Sequence, residues 1–232
     1  MKTYMFKSLL FGFGLLGLGV TVAYHYPGQQ AADITNKTSA IQVISMIPGE
    51  SGPELRLKNV SKKNINGYSI GSERSYRTTD LSVSEDVISP GEEFTVQLPP
   101  TRDPRASQVA PQAQLVTIRY VIFDDGSSDG DDMDAQELRD IRSGRREQLH
   151  RIGLLLGAMA ASPNLAQLES QLQALPTEAL RTDSSFNVAR GRLAAKQDAI
   201  LEISKLDKSN PRAELLKLIQ QNTRHVMRLT RR

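Results

Sequence analysis

The chain has 232 residues, 39% of them apolar and 24% charged, with no Cys, no Trp and a formal charge of +3. That length suits one large domain or two small ones at roughly 100–200 residues each, and the average charge and apolar content exclude wholesale disorder and collagen-like repetition. Absence of cysteine removes a disulfide framework, a thiolate zinc site, an iron–sulfur cluster and a cysteine nucleophile together.

Lys2 and Lys7 precede an uncharged apolar run over residues 8–23. A basic start, an apolar stretch and small residues at its end make the pattern of a secretory signal, with cleavage expected after Ala23. The alternative is an uncleaved anchor over residues 6–26, with Tyr24 and Tyr26 at the membrane–water boundary. The run falls just short of the ~17–25 residues that a spanning helix needs. Residues 1–30 are therefore read as an address. The remainder is expected to be exported, periplasmic or extracellular, with the inner membrane as a partner where the segment is retained. Export without cysteine points to a bacterial envelope, because small secreted eukaryotic domains usually lean on disulfides. Gly12, Gly14 and Gly17 spell G-x-G-x-x-G, but inside an apolar run with no strand before it, where a pyrophosphate has no helix N-terminus to meet. Asn36-Lys37-Thr38 and Asn59-Val60-Ser61 are glycosylation triplets on paper and ordinary polar sequence in a bacterial protein.

Residues 31–123 carry equal numbers of acids and bases. Ile41-Gln42-Val43, Leu55-Arg56-Leu57 and residues 94–98 alternate apolar and polar with the period of half-buried strands. Tyr68 and Ile70 indicate another strand, residues 80–88 one more, and the nearly continuous apolar run over residues 115–123 a central strand covered on both faces. Turn signals at Pro48-Gly49, Ser51-Gly52-Pro53, Asn66-Gly67 and Pro90-Gly91 separate them, and residues 99–114 read as a long loop. Six or seven short strands without intervening helices predict an antiparallel β-sandwich.

Past residue 127 the period changes. Leu138, Ile141, Leu149, Ile152, Leu156 and Met159 recur at a 3–4 spacing, which predicts a long amphipathic helix, interrupted at Gly144. Ser162-Pro163 starts a short second helix that stops before Pro176. A third is expected over residues 188–206 and a fourth from Ser209-Asn210-Pro211, the two forming an antiparallel hairpin. The fold class is accordingly α+β: an address over residues 1–30, a β-sandwich over 31–127 and a helical region over 128–232.

Leu57-Lys58-Asn59-Val60-Ser61 with Ile65, Pro90-Gly91-Glu92-Glu93-Phe94 and Ile122-Phe123-Asp124-Asp125-Gly126-Ser127 resemble the immunoglobulin-like sandwich of uncharacterised exported bacterial proteins. The resemblance covers residues 39–127. It implies a fold and a compartment, not an activity.

Three constellations bear on chemistry. Gly67-Tyr68-Ser69-Ile70-Gly71 is a literal G-x-S-x-G, and Asp124 or Asp125 and then His150 follow in the order a serine hydrolase would use. Residues 61–64 are not a buried parallel strand, however, and residues 72–77 lack an apolar stripe for an elbow helix, so a strand between turn glycines is the better account. The second is the acidic loop: residues 124–140 carry a net charge of −7. Asp125, Ser127, Asp129 and the Asp131 carbonyl fall at positions 1, 3, 5 and 7 of a calcium loop around Gly130. Position 12 is Gln136 where a bidentate Glu is required. Those four residues are the calcium candidates, and no other cofactor is indicated. A solvated loop whose acids favour the next helix N-terminus is the rival account.

Third, residues 141–232 carry +8, and Arg139, Arg142, Arg145 and Arg146 line the first helix as candidate interaction residues. Aromatics are nearly absent there, so nucleic acid is not expected as a partner; a protein or an anionic envelope component is. Docking of the −7 loop on the +8 helices is the intramolecular variant. The sequence-based expectation is a non-enzymatic envelope interaction or scaffold module, with a calcium-dependent binding module and a Ser69 hydrolase as alternatives.

Overall fold

A computed structural model describes residues 20–24, 32–47, 53–72, 75–84, 86–98, 114–178, 183–207 and 209–230. The alternating segments become strands as their period requires: β1 (Val20–Tyr24), β2 (Ala32–Asn36), β3 (Ile41–Ile47), β4 (Glu54–Asn59), β5 (Ile65–Ser72), β6 (Ser75–Asp80), β7 (Glu93–Gln97), β8 (Gln114–Phe123) and β9 (Ser128–Gly130). One sheet runs β1-β2-β8-β5-β6, with β9 extending the β8 edge beyond the end of β2, and a second runs β3-β4-β7. Four helices follow among the described residues, so the class is α+β. The pairings are not all antiparallel as expected: β2 lies parallel to β8, with Ile34 opposite Val116. The four residues between β2 and β3 carry the chain from one sheet to the other, which leaves β2 to pair with β8 rather than with β3.

Both sheets contribute to a single apolar cluster. Ile34, Ile70 and Val116 come from the first sheet, and Ile41, Leu57 and Val96 from the second. β8 is covered on both faces, as its continuous apolar run predicts. Its register against β5 slips at Arg119, which has no partner between Ile118 and Tyr120. An extra residue reverses the side-chain alternation. Val116, Ile118, Val121 and Phe123 thus all face the shared core, while Tyr120 and Ile122 turn outward to meet Ala135 and Leu138.

Five further expectations are corrected. No described residue of 81–88 lies in a strand, and Ile88 makes one isolated bridge to Ile65; the strand lies earlier, as β6, whose polar residues Ser75, Arg77 and Thr79 hid it from an apolar count. β9 continues the sheet past residue 127, because Gly130, at φ +106°, passes close to the Tyr120 backbone, where a Cβ would lie 2.9 Å from the Tyr120 Cα. The helix α1 (Asp132–Met159) is continuous through Gly144. α3 (Asp183–Ser204) and α4 (Pro211–Thr230) are not a hairpin packed along each other: each packs against α1. The short α2 (Leu165–Ala174) is capped by the Asn164 side chain, not by Ser162, and ends before Pro176.

The outcome for α1 rests on two glycines facing each other. A Cβ at Gly144 would overlap the Val188 carbonyl oxygen, and one at Gly191 would overlap that of Ile141. Their absence lets the backbones of α1 and α3 touch, with Leu149, Ile152, Leu156 and Ala195 forming the core beyond. Gly153 and Gly157, the more conspicuous pair in sequence, do less: Gly157 has nothing within 4 Å of its Cβ position.

Residues 1–19, which hold most of the expected targeting run and the G-x-G-x-x-G, lie outside the described residues, as do residues 99–113 of the long loop. Val20–Tyr24, assigned from sequence to the end of that run, is strand β1 paired antiparallel with β2, in keeping with its two Val and one Thr. Among the described residues no helix is long and apolar enough to cross a membrane.

Candidate functional site

Of the expected calcium ligands Asp125 and Ser127 meet each other, while Asp129 and Asp131 bond elsewhere. Asp125 Oδ2 accepts from Lys63 Nζ at 2.6 Å while its Oδ1 accepts from Ser127. Those bonds from Lys63 and Ser127 hold its carboxyl down at about 2. Asp129 turns the other way and Oδ2 accepts four hydrogen bonds, from the Thr38 hydroxyl, the Ser39 amide and hydroxyl, and the Ala40 amide, at 2.6–2.9 Å. Burial pushes this carboxyl up, but those bonds outweigh it and the net shift is downward. Asp131 caps α1 through the Asp134 amide, which lowers its pKa, and pairs with Lys37. Each acid is thus engaged by a different protein donor, and among the described residues no three His, Cys, Asp or Glu side chains gather as a metal site. The acidic loop docks on Lys37, Lys63 and Arg119 of the β part, because those bases flank it in the fold while the helical bases lie further along α1 and beyond.

The arginines expected to face a partner are largely internal. Arg142, 13% exposed at its side chain, donates to Asp80 Oδ1 at 2.8 and 3.1 Å and to the Asn66 carbonyl at 2.9 Å. That carbonyl belongs to the extra residue of a second bulge, where β5 slips against β8. Arg145 pairs with Asp198 of α3, and Arg139 bonds Ser128 Oγ. Arg146 makes none of these contacts. α1 is therefore clamped to the sheet by Arg142 and to α3 by Arg145, helped by Arg192 of α3, which bonds Glu147.

Ser69 sits in the middle of β5, buried, with its Oγ accepting from Thr78 at 3.5 Å. Asp124 accepts from Asn64, and His150 is exposed on α1. The five-residue motif is a strand whose small residues face outward: a Cβ at Gly67 would meet the Leu138 and Arg142 side chains within 3 Å. The glycosylation triplets are similarly structural. Asn59 is fully buried and donates to Lys63 and Ile88 carbonyls, and Asn36 donates to that of Ile41.

Two concavities stand out among the described residues. One is a groove of about 790 Å³ along α1, between α3 and α4. Leu149, Ile152 and Leu156 form its floor; Asp198, Glu202 and Lys217 stand among its rim residues. Asn222 of α4 fixes one wall by donating to the Leu149 carbonyl. The other is a polar cleft of about 740 Å³ at the β6 edge, lined by residues of β5, β6 and β8, by Gln97 and Leu98 at the end of β7, and by α1 and α3. Ser69 and Tyr120 lie at its base, and Arg77, Arg119, Arg190 and Asp134 line it. Sequence reading missed both. Periodicity marks which residues of α1 are apolar, but not that α3 and α4 stand apart on it, and the cleft gathers residues from six elements with no common motif.

Comparison with known proteins finds no matching family model, no matching curated protein and no matching solved structure. The residues themselves carry the functional reading.

Proposed function

We propose that the protein is an exported, non-enzymatic interaction module of a bacterial envelope, in which an immunoglobulin-like sandwich presents a helical layer to a protein partner. Export is supported by Lys2, Lys7 and the apolar run after them. The sandwich is supported by two sheets sharing one core, with β3, β4 and β7 in one and β5, β6 and β8 in the other.

The observation that carries the reading is the groove. α3 and α4 lie on α1 but not on each other, so an apolar floor is left between charged walls. Such a channel fits a segment that inserts apolar side chains and carries charges of both signs. Leu201, 54% exposed, adds apolar surface at its wall.

Photo-crosslinking residues placed at Leu201 and Gln221 in the groove, and at Leu154 and Met133 outside it, test this in intact cells expressing the native N-terminus. A discrete protein adduct from the groove positions alone is expected. Identical adducts from all four positions, or none from the groove, would refute the reading.

A further inference from the structure

β1 forms the outer edge of one sheet from residues that the targeting run also claims. Resting on the export reading, and independently of the groove, we propose that export uncovers the edge of β2. That edge then binds an extended segment of a partner protein, patterned like β1, as an added antiparallel strand.

In the fold, Val20–Tyr24 pairs with β2 from Val20 opposite Asn36 to Tyr24 opposite Ala32. Cleavage after Ala23 removes every residue of that strand except Tyr24. Retention as an anchor removes them from the sheet as well. Only residues 8–19 separate Lys7 from β1, and as a helix these reach about 18 Å against a hydrocarbon core of about 30 Å. The run spans only by drawing Val20–Tyr24 out of the sheet. Both routes of export therefore leave β2 at the edge, whereas the chain before export keeps it covered.

β2 is held in place without β1. It lies parallel to β8 on its other side, and Ile34 is buried in the shared core. Just beyond it, the Lys37 amide donates to the Ile118 carbonyl and Asp129 Oδ2 holds residues 38–40. What the edge loses is a partner for the backbone groups that β2 turns toward β1. β2 has no proline and no bulge to blunt it, and Asp33 is its one charge, so the bare edge is a template for another strand. β1 defines what fits: Val opposite Asn36 and Ile34, Tyr opposite Ala32, with Thr and Ala between. Main-chain bonds give such an added strand its affinity, and the alternate positions give specificity. β2 of a second copy, paired about Ile34, matches that pattern only at its centre. It sets Ala32 and Asn36 where β1 has Val20 and Tyr24, which favours a different protein as the occupant.

The test uses the full chain expressed with its native N-terminus, recovered from the envelope fraction and, after export is blocked, from the cytosol. Mass spectrometry reads the N-terminus of each. The probe is a fluorescent peptide of residues 18–26, followed by anisotropy. Envelope protein is expected to bind it with a dissociation constant below about 1 mM, and cytosolic protein at least about tenfold more weakly. A Thr21→Pro/Val22→Pro peptide is expected to bind at least about tenfold more weakly too, because one of the two lost N–H groups must face β2. Hydrogen exchange should place the peptide's protection on residues 32–36. A chain found only in the cytosol refutes export, and with it the uncovering. An exported chain that ignores the peptide, binds both peptides equally or is protected elsewhere overturns the edge site while leaving export intact. Equal binding by the cytosolic chain overturns the covering by β1. An exported dimer that the peptide dissociates gives the edge to a second copy and overturns the partner assignment.

Discussion

Exchanging Gly144 for Ala should destabilise the protein, whereas the same exchange at Gly157 should stabilise it. Intrinsic propensity favours Ala over Gly inside a helix by about 1 kcal/mol at both positions. At Gly157 nothing opposes it, because no atom lies within 4 Å of the added methyl. At Gly144 the methyl falls on the backbone carbonyl of Val188, with the Val188 Cα only 2.9 Å away. No rotamer change relieves a backbone overlap, so α1 and α3 must part by about 1 Å, and a gap of that size forfeits a quarter to half of each dispersion contact along the interface. The contacts at risk include those of Leu149, Ile152 and Ala195. A net loss of about 2–4 kcal/mol follows. Urea unfolding followed by far-UV circular dichroism measures it. Gly191→Ala should cost a similar amount from the α3 side. The double variant should cost less than the sum, because one separation accommodates both methyls. Stabilisation by Gly144→Ala, or equal effects at Gly144 and Gly157, would refute the close approach of the two helices.

Arg142→Met should cost about 3 kcal/mol by stranding Asp80, whose side chain is 17% exposed, and a cycle with Asp80→Asn should return a coupling of about 1–3 kcal/mol in denaturant unfolding. Asp129→Ala should cost about 2–4 kcal/mol through the loss of four hydrogen bonds to one carboxylate oxygen, and EDTA or millimolar calcium should leave the melting temperature of the parent unchanged, as thermal scans would report. Asp125 should titrate at about 2 by NMR, and Lys63→Met should move it toward the ordinary value of about 3.9. Because its pKa is lowered in the folded state, the stabilisation it supplies is complete above about pH 4 and is lost as pH falls through about 2; with half of the side chain exposed, it amounts to under about 1 kcal/mol.

Strands were legible wherever apolar and polar residues alternate, as in Leu55-Arg56-Leu57, and helices wherever Leu and Ile recur at 3–4 spacing. β6 was not, since Arg77 and Thr79 on one face and Thr78 and Asp80 on the other leave it polar on both sides. The Arg119 bulge left no trace in the sequence, yet it sends Tyr120 and Ile122 to α1 and the rest of β8 to the core. Glycine meaning was also positional: Gly153 and Gly157 stand in a familiar spacing with an apolar setting, while Gly144 and Gly191 lie far apart in the chain and meet only in the fold. Charge misled in the same way. Arg142 and Asp129 look like surface charges in sequence because their partners, Asp80 and the residues 38–40, are 62 and 89–91 positions away.

In the account as a whole, α1 joins two layers into one unit, burying Ala135 and Leu138 against β8 and its remaining length against α3 and α4. Denaturant unfolding followed at once by tyrosine fluorescence, reporting Tyr68 and Tyr120 in the β part, and by helical circular dichroism distinguishes this from two independent halves. Superimposable transitions with one midpoint are predicted; a helical transition complete before the tyrosine signal changes would contradict it.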